Sequence, residues 1–230
     1  MKKIFKIFLI IIVILSLFIL TGCKDNTQDM LNNKIDSEMN YLESIILMVV
    51  KKYMANDYLN QENTDLNWIN IKYDFANVNT SSSVIVTDFA TKNFSNEDIL
   101  KFEESLNNVN LAISEENEIN LLVTLANFYS LIPEYREKYL GYNAEVSIRK
   151  IKNLNLYSII SCMQGDFGKA IEICNQSESE YINLTKDTGY LKDNGYYVNR
   201  IYVVLEEYKM SLKEENLDLS TVKYLNTLGI

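Results

Sequence analysis

Apolar residues recur every three or four positions along most of the chain, the spacing that places them on one face of an α-helix. Within residues 143–164, for example, Ile148, Ile151, Leu154 and Ile159 follow this pattern. The same pattern predicts further helices over residues 35–59, 64–93, 95–109, 114–129, 133–140, 167–185, 197–212 and 217–228. The 230 residues include only seven Gly and one Pro, although β-rich folds need such residues at their turns. The sequence therefore predicts an all-α fold, either a multi-helix bundle or an irregular array of helical hairpins.

Several helices carry recognisable start and stop signals. Ser95 has an acidic residue three positions later, the spacing of a capping box in which its hydroxyl meets an unpaired amide of the first turn. Ser114 is expected to open the next helix. Pro133 is expected to open a short helix after it, because the missing N–H of proline costs nothing in a first turn. Breaks are predicted at residues 165–166 and in a loop over residues 189–195.

Residues 79–88 carry two conflicting signals. Positions 80–87 are rich in β-branched residues, which favours a strand. Upstream, however, Leu66, Ile69 and Tyr73 step at helical intervals. Because a lone pair of strands would be only marginally stable, we expect a helix here, with a strand as the alternative.

The first 22 residues differ sharply in composition from the rest of the chain. Lys2, Lys3 and Lys6 precede an apolar stretch over 7–20, in which Ser16 is the one polar residue. A helix of that length would rise about 21 Å, which is short of the roughly 30 Å hydrocarbon core of a bilayer. Such a stretch is typical of the apolar region of a signal peptide.

The next residues, Leu20-Thr21-Gly22-Cys23, resemble the bacterial lipobox, in which a leucine and two small residues precede a cysteine that becomes lipidated. The resemblance implies cleavage before Cys23, a diacylglyceryl group and palmitate at the new N-terminus, and a cell-membrane location on the extracytoplasmic face. Two acyl chains hold a protein durably on a bilayer. The chain would then comprise a signal peptide (1–22), a tether (23–34) and a single helical domain (35–230). The alternative is an uncleaved anchor helix, because residues 7–23 reach the lower limit for spanning a bilayer.

The charge balance is acidic. The chain has 22 basic and 31 acidic residues and a net charge of −9. Removal of residues 1–22 would leave 19 basic against 31 acidic residues, a net charge of −12. Nucleic acid and anionic phospholipid both require a basic surface, so no nucleic-acid partner is expected. The membrane would be reached through the lipid on Cys23.

Residue types that commonly carry chemistry are scarce. The chain has no histidine, the commonest general base near neutral pH and the commonest metal ligand. Besides Cys23 it has only Cys162 and Cys174, which cannot form a zinc site by themselves. These two lie at unequal distances from the turn at 165–166, so we expect free, buried thiols, with a disulfide as the alternative. No catalytic residue, metal or cofactor is expected.

The adjacent acidic pairs and the tyrosine cluster each have a structural and a functional interpretation. Adjacent acidic residues diverge on a helix, so we expect solvated helix faces at Glu103-Glu104, Glu115-Glu116, Glu206-Glu207 and Glu214-Glu215. Tyrosine is abundant, with sixteen residues. A stacking platform for sugars or peptide is one interpretation of a tyrosine cluster, and packing at the core edge is the favoured one. The cluster comprises Tyr190, Tyr196, Tyr197, Tyr202 and Tyr208.

Residues 164–172 (QGDFGKAIE) resemble the central turn of a tetratricopeptide repeat, in which a glycine ends one helix and an aromatic residue begins the next. A small residue, here Ala170, lets the two helices approach closely. Weaker similarities to this turn occur at Gly195 and Pro133. The resemblance implies one helical hairpin and leaves open whether the helices form a true repeat array.

The region from about 65 to 228 also resembles an uncharacterised family of clostridial helical lipoproteins, through Trp68 and residues 96–100, 125–133 and 197–205. This resemblance implies a helical fold on the outer face of a single-membrane cell and implies no activity. Together with the lipobox and the scarcity of catalytic groups, it favours a lipid-anchored interaction module of the cell envelope. The expected partner is an envelope protein or peptide. The alternative is a glycan-binding or small-molecule-binding lipoprotein, and an enzyme is not expected.

Overall fold

The computed structural model describes residues 29–55, 67–92 and 94–229. Within these ranges the chain is helical apart from short turns and has no strand, so the predicted all-α fold is confirmed. The helices of the described ranges are α1 (29–55), α2 (Trp68–Thr91), α3 (Asn96–Ser114), α4 (Glu118–Leu140), α5 (Ala144–Met163), α6 (Phe167–Leu184), α7 (Thr188–Lys213) and α8 (Leu217–Thr227). No helix in the described ranges combines the length and the apolar character that crossing a membrane requires.

Helix α1 includes residues that the sequence assigns to the tether. Residues 29–34 are already helical, and Leu31 packs against the main core. The predicted signal peptide, Cys23 and the rest of the predicted tether lie outside the described residues. Residues 56–59, the predicted end of this helix, also lie outside them.

Helix α2 is continuous through residues 79–88, so the strand alternative is wrong. Ile85 and Phe89 are fully buried on its inner face. On its outer face the hydroxyls of Thr80 and Thr87 donate to backbone carbonyls one turn earlier. The β-branched residues therefore fit a helix, because the core holds one side and the hydroxyls are satisfied locally.

The capping box at Ser95 is confirmed. The Ser95 hydroxyl accepts the Asp98 amide at 3.1 Å, and the Asp98 carboxylate accepts the Ser95 amide at 3.3 Å. The predicted start at Ser114 is wrong, because Ser114 ends α3 and its hydroxyl donates to a carbonyl of the preceding turn. Helix α4 is instead capped by Asn117. The residue before it, Glu116, adopts the left-handed conformation with a φ of 51°.

Pro133 lies inside α4, so the predicted short helix that starts there is wrong. Proline in a helix interior costs about 3 kcal/mol, because a hydrogen bond is lost and the ring crowds the preceding turn. The flanking residues Leu131, Ile132 and Tyr135 are buried in the main core on successive faces of the helix. Their burial keeps α4 continuous through the proline.

The hairpin between α5 and α6 has the predicted break. Gly165 has a φ of 82°, a conformation that favours glycine, and Asp166 caps α6 by accepting the Lys169 amide at 2.9 Å. The Ser158 hydroxyl donates to the Ala170 carbonyl at 2.7 Å, and both residues are fully buried. Small residues therefore let the two helices approach closely.

The predicted loop over residues 189–195 is wrong. Asp187 caps α7 by accepting the Tyr190 amide at 2.9 Å, and the helix continues to Lys213 with a kink at Asn194. Leu191 packs against the second core cluster, which stabilises this first part of the helix. Pro133 thus lies within a helix, whereas Gly195 directly follows the kink at Asn194, so the weaker similarities to the repeat mark no turn at Pro133 and only a kink at Gly195.

The buried apolar residues form two clusters. The main core joins α1 to α6 with the ends of α7 and α8, and the second core cluster joins α5, α6 and α7. Successive helices from α2 to α8 contact one another, and α8 also folds back onto α5. Helix α5 therefore lies at the centre of the C-terminal half, between α4, α6 and α8.

Candidate functional site

An apolar groove lies between α4, α5 and α6. Its volume is about 480 Å³, which is within the range of roughly 300–1,000 Å³ typical of ligand-binding pockets. Its lining comprises Val123 on α4, Leu154, Tyr157, Ile160, Ser161 and Gln164 on α5, and Lys169, Ile173 and Gln176 on α6. This surface is called the groove below.

The groove follows one face of α5. Five residues of this helix and its C-cap residue are separated by three or four positions and so share that face: Ser147, Lys150, Leu154, Tyr157, Ser161 and the C-cap Gln164. At the N-terminal end, polar contacts join the three helices. The Lys150 ammonium lies 2.7 Å from Glu137 of α4, and the Ser147 hydroxyl donates to Glu180 of α6 at 2.9 Å. The apolar part of the face therefore begins at Leu154 and extends toward the hairpin turn.

Polar side chains border the apolar floor of the groove. Gln164, Lys169 and Gln176 are exposed at its rim. The Tyr157 hydroxyl donates to the Asn127 side-chain oxygen at 2.7 Å, and burial raises the pKa of Tyr157, so the phenol stays protonated at neutral pH. An apolar floor with a polar rim is the anatomy of a protein-binding surface.

A second concave surface, called the cleft below, lies near the N-terminal end of α5 and has a volume of about 360 Å³. Its lining comprises Asn32, Asn33 and Asp36 of α1, Leu140, Asn143, Ala144 and Glu145 around the α4–α5 connection, and Asp187 and Tyr190 at the start of α7. Along α5, the rise from Glu145 in the cleft to Ile160 in the groove is about 22 Å. The two surfaces are therefore separate.

Two arginines next to the cleft join α1 to α4 and α5. Arg136 is 1% exposed, and its guanidinium lies 2.7 Å from Asp36 and 3.6 Å from Glu145. Arg149 lies 2.7 Å from Glu43 and 3.0 Å from Glu145. Each guanidinium thus faces two carboxylates, which neutralise it and are themselves held in fixed orientations.

The five clustered tyrosines do not form one stacking platform. Tyr208 is fully buried, whereas Tyr196 is 87% exposed and Tyr202 is half exposed. Tyr190 and Tyr197 pack against the second core cluster, and Tyr190 also lines the cleft. Core packing is confirmed for Tyr208. The alternative, a stacking platform, is wrong, because the five side chains point to different sides of α7.

The described cysteines are free and buried, as the sequence predicts. Burial raises the pKa of Cys162 to about 11 and that of Cys174 to about 12. Both thiols therefore stay protonated at neutral pH and are weak nucleophiles. Cys23, the predicted lipid attachment site, lies outside the described residues.

Only two of the four acidic pairs lie on helices. Glu103-Glu104 and Glu206-Glu207 are in α3 and α7, whereas Glu115-Glu116 and Glu214-Glu215 form the turns before α4 and α8. The predicted helix faces are wrong for the two turn pairs, since each provides a left-handed residue before the capping asparagine. Within the described ranges, no group of three or more carboxylates or thiols is arranged to hold a metal ion.

Sequence reasoning missed the groove and the paired arginines. One signal was available for the arginines: Asp36, Asn40 and Glu43 lie three or four positions apart on α1 and so share one face of that helix. The Asn40 side-chain oxygen accepts from both Arg136 and Arg149, at 2.6 and 3.0 Å. Polar residues that share one face of a helix thus indicated polar or cationic partners elsewhere in the chain.

The chain has no significant match to any protein-family model, curated protein or solved structure. The groove, the cleft and the N-terminal motif are therefore the features that bear on its function.

Proposed function

We propose that this chain is a lipid-anchored, extracytoplasmic interaction module of the cell envelope that binds an apolar segment of a partner protein in the groove. The observation that carries the proposal is the apolar floor of the groove, formed by Leu154 and Tyr157 of α5 and Ile173 of α6. Arrays of helices commonly bind partners on such concave surfaces. An amphipathic segment places its apolar face in a groove of this kind and leaves its polar face in water.

The N-terminal motif supports the anchored part of the proposal. Cys23 precedes Asn32 by nine residues, and nine fully extended residues span at most about 32 Å. A lipid on Cys23 would therefore keep the cleft within that distance of the bilayer. The groove, displaced toward the other end of α5, would remain accessible to a partner.

The charge of the chain favours a partner segment with basic flanks. The net charge is −9, and it would be −12 after removal of residues 1–22. A field of this sign accelerates association with basic partners. Lys169 is the one charged residue in the groove lining and opposes this attraction locally. The Lys169→Glu substitution should therefore strengthen binding.

Peptides selected on the purified full chain from a random peptide library should combine an apolar core with basic flanks. Their affinities can be measured by fluorescence anisotropy. Ile173→Glu should weaken binding about tenfold or more, equivalent to ~1.4 kcal/mol, because it places a charge on the apolar floor. The matched control is Ile182→Glu on the same helix, where the isoleucine is 56% exposed and outside the groove lining. Equal binding by the two variants, or enrichment of acidic peptides, would argue against the proposal.

The anchor can be tested separately with a clickable palmitate analogue in cells that produce the chain. We expect label on the wild-type protein in the membrane fraction. Cys23→Ala should remove the label and release the protein, because the acceptor thiol is lost. Cys162→Ala and Cys174→Ala should retain the label, since these thiols are buried. An unlabelled wild-type chain that still begins with Met1, as shown by mass spectrometry, contradicts the anchor.

A further inference from the structure

The outer face of α7 carries an exposed apolar stripe. Tyr196, Val203 and Met210 are 87%, 52% and 60% exposed, and they follow one another at intervals of seven residues. Seven residues fall about 20° short of two full turns of an ideal helix, so the three side chains share one face. The kink at Asn194 precedes this segment, which is therefore one continuous helix about 21 Å long from Tyr196 to Met210.

The neighbouring helices leave this stripe uncovered. Glu178 of α6 contacts Lys209 on one flank of α7 at 2.6 Å, and Lys223 of α8 contacts Glu207 on the other flank at 2.8 Å. The stripe runs between these two flanks and faces water. In stacked helical folds a polar outer face on the terminal element maintains solubility. An exposed apolar stripe at that place therefore indicates a surface that another molecule covers.

The polar residues beside the stripe are distributed unevenly along the helix. Asn199 and Arg200 precede Val203 by four and three positions, and Glu206 and Glu207 follow it by three and four. Arg200 and Glu207 lie on the flank toward α8, whereas Asn199 and Glu206 lie on the flank toward α6. Each flank thus has a donating side chain before Val203 and a carboxylate after it.

We propose that α7 pairs in antiparallel orientation with α7 of a second copy of this chain, with the two-fold axis of the dimer at Val203. Such an interface is closed, because the same patch is used by both copies. Tyr196 of each copy faces Met210 of the other in this arrangement, and contacts between a thioether and an aromatic ring are favourable. The two valines meet at the centre.

The charged flanks select the antiparallel orientation. Antiparallel pairing places Arg200 opposite Glu207 of the second copy on one flank, and Asn199 opposite Glu206 on the other. The Glu207 side chain is 47% exposed beside Lys223, and a carboxylate accepts several hydrogen bonds, so it can also accept from an arginine. A parallel pair would instead place Glu207 beside Glu206 of the second copy, and like charges across an interface are costly.

The dimer is expected to be weak in solution. One helix face of this length is smaller than a standard interface, which buries about 800 Å² per partner. The net charge of −9 also opposes self-association, although salt screens it beyond about 8 Å at physiological ionic strength. Under the proposed anchor, confinement of both copies to one bilayer surface raises their local concentration and favours pairing. The groove lining contains no residue of α7, so the dimer does not depend on what binds there.

Sedimentation velocity of the full chain in density-matched detergent tests the pairing. Val203→Glu should weaken the dimer at least about tenfold, because it places two carboxylates at the two-fold axis. The matched control is Leu111→Glu on α3, where the leucine is 54% exposed, and it should leave the Kd unchanged. Circular dichroism monitors folding of each variant. A wild-type chain that remains monomeric at ~1 mM, or a folded Val203→Glu protein with the wild-type Kd, would overturn the proposal.

A charge exchange tests the flank toward α8. Arg200→Glu should weaken the dimer about tenfold, because two carboxylates then meet on each side of the axis. Adding Glu207→Arg to the same chain should restore the wild-type Kd, since the pair is re-formed with its charges reversed. A double variant that is no tighter than Arg200→Glu alone contradicts this pairing.

Cysteine cross-linking in membranes of producing cells tests the orientation. A disulfide needs Cα atoms within about 7 Å, whereas positions 196 and 210 of one helix are about 21 Å apart. Val203→Cys should therefore link to itself under mild oxidation, and Tyr196→Cys should link to Met210→Cys when the two are produced together. The wild-type chain, with its native cysteines, and Leu111→Cys set the background. Self-linking of Tyr196→Cys above this background would show a parallel pair and contradict the proposal, as would background linking of Val203→Cys.

Discussion

Replacing Arg136 by alanine should lower the free energy of unfolding by about 2–4 kcal/mol, because it removes a buried guanidinium together with its ion pair and its hydrogen bonds. The side chain is 1% exposed, and its guanidinium contacts Asp36 at 2.7 Å and Asn40 at 2.6 Å. Its removal leaves the Asp36 carboxylate facing a space that the guanidinium filled. The Asp36 side chain is 31% exposed and keeps partial contact with water, so the loss of stability comes chiefly from the cavity and the broken hydrogen bonds at the junction of α1 and α4. Urea denaturation, monitored by circular dichroism, measures this change in the free energy of unfolding.

Lys150→Ala provides the matched control on α5. Lys150 is also 2.7 Å from a carboxylate, that of Glu137, but its side chain is 30% exposed. An ion pair in contact with water contributes at most about 1 kcal/mol. A similar loss of stability in Arg136→Ala and Lys150→Ala would show that burial of the Arg136 guanidinium has no energetic consequence, contrary to this expectation.

The helical fold follows from the sequence because local and long-range forces agree over most of its length. At the Ser95 capping box, the Gly165 turn and the apolar stripe of α5, the local sequence signal and the packing of the helices favour the same structure. Such agreement is what makes an element predictable from the residues within it. Fold class and most helix positions were therefore accessible without coordinates.

The predicted helix boundaries are wrong where the burial of side chains outweighs a local sequence signal. Pro133 is an ordinary helix-breaking residue, yet it lies inside a helix, and at Gly195 the predicted loop is reduced to a kink after Asn194. Around Pro133 the neighbouring side chains are buried in the main core, and before Gly195 the Asp187 cap and Leu191 hold the helix. The energy that decides these positions comes from residues distant in sequence, which no local pattern contains.

The two candidate sites depend on distant contacts even more strongly. Asp36 and Arg136 are separated by 100 positions in the chain. The groove brings together Val123, Leu154 and Ile173 from three helices. Helix periodicity indicates which side chains share a face, but the packing of helices decides which faces meet. Cys23 is the opposite case, because its motif is contained entirely in contiguous residues.

Helix α8 has an unusual buried face. Its four buried residues, Ser220, Thr221, Tyr224 and Thr227, all carry hydroxyl groups. Thr227 donates to a carbonyl of its own helix, whereas the hydroxyls of Thr221 and Tyr224 have no hydrogen-bond partner within the described ranges. Burial raises the pKa of Tyr224, with no hydrogen bond to offset it. Docking of α8 against α5 and α7 therefore includes the cost of desolvating groups that gain nothing in return.

Tyr224→Phe should consequently raise the free energy of unfolding by about 1 kcal/mol, because it removes a buried hydroxyl that has no partner. The neighbouring Tyr208 supplies a matched pair: it is equally buried, and its ring centre is 6.1 Å away. Its hydroxyl donates to Ser158 at 3.0 Å, so Tyr208→Phe should lower stability by about 1 kcal/mol. Removing one hydroxyl oxygen should thus change the free energy of unfolding in opposite directions at these two neighbouring rings. Chemical denaturation of the two variants measures both changes. A loss of stability in Tyr224→Phe as large as that in Tyr208→Phe would mean that the Tyr224 hydroxyl is satisfied in solution.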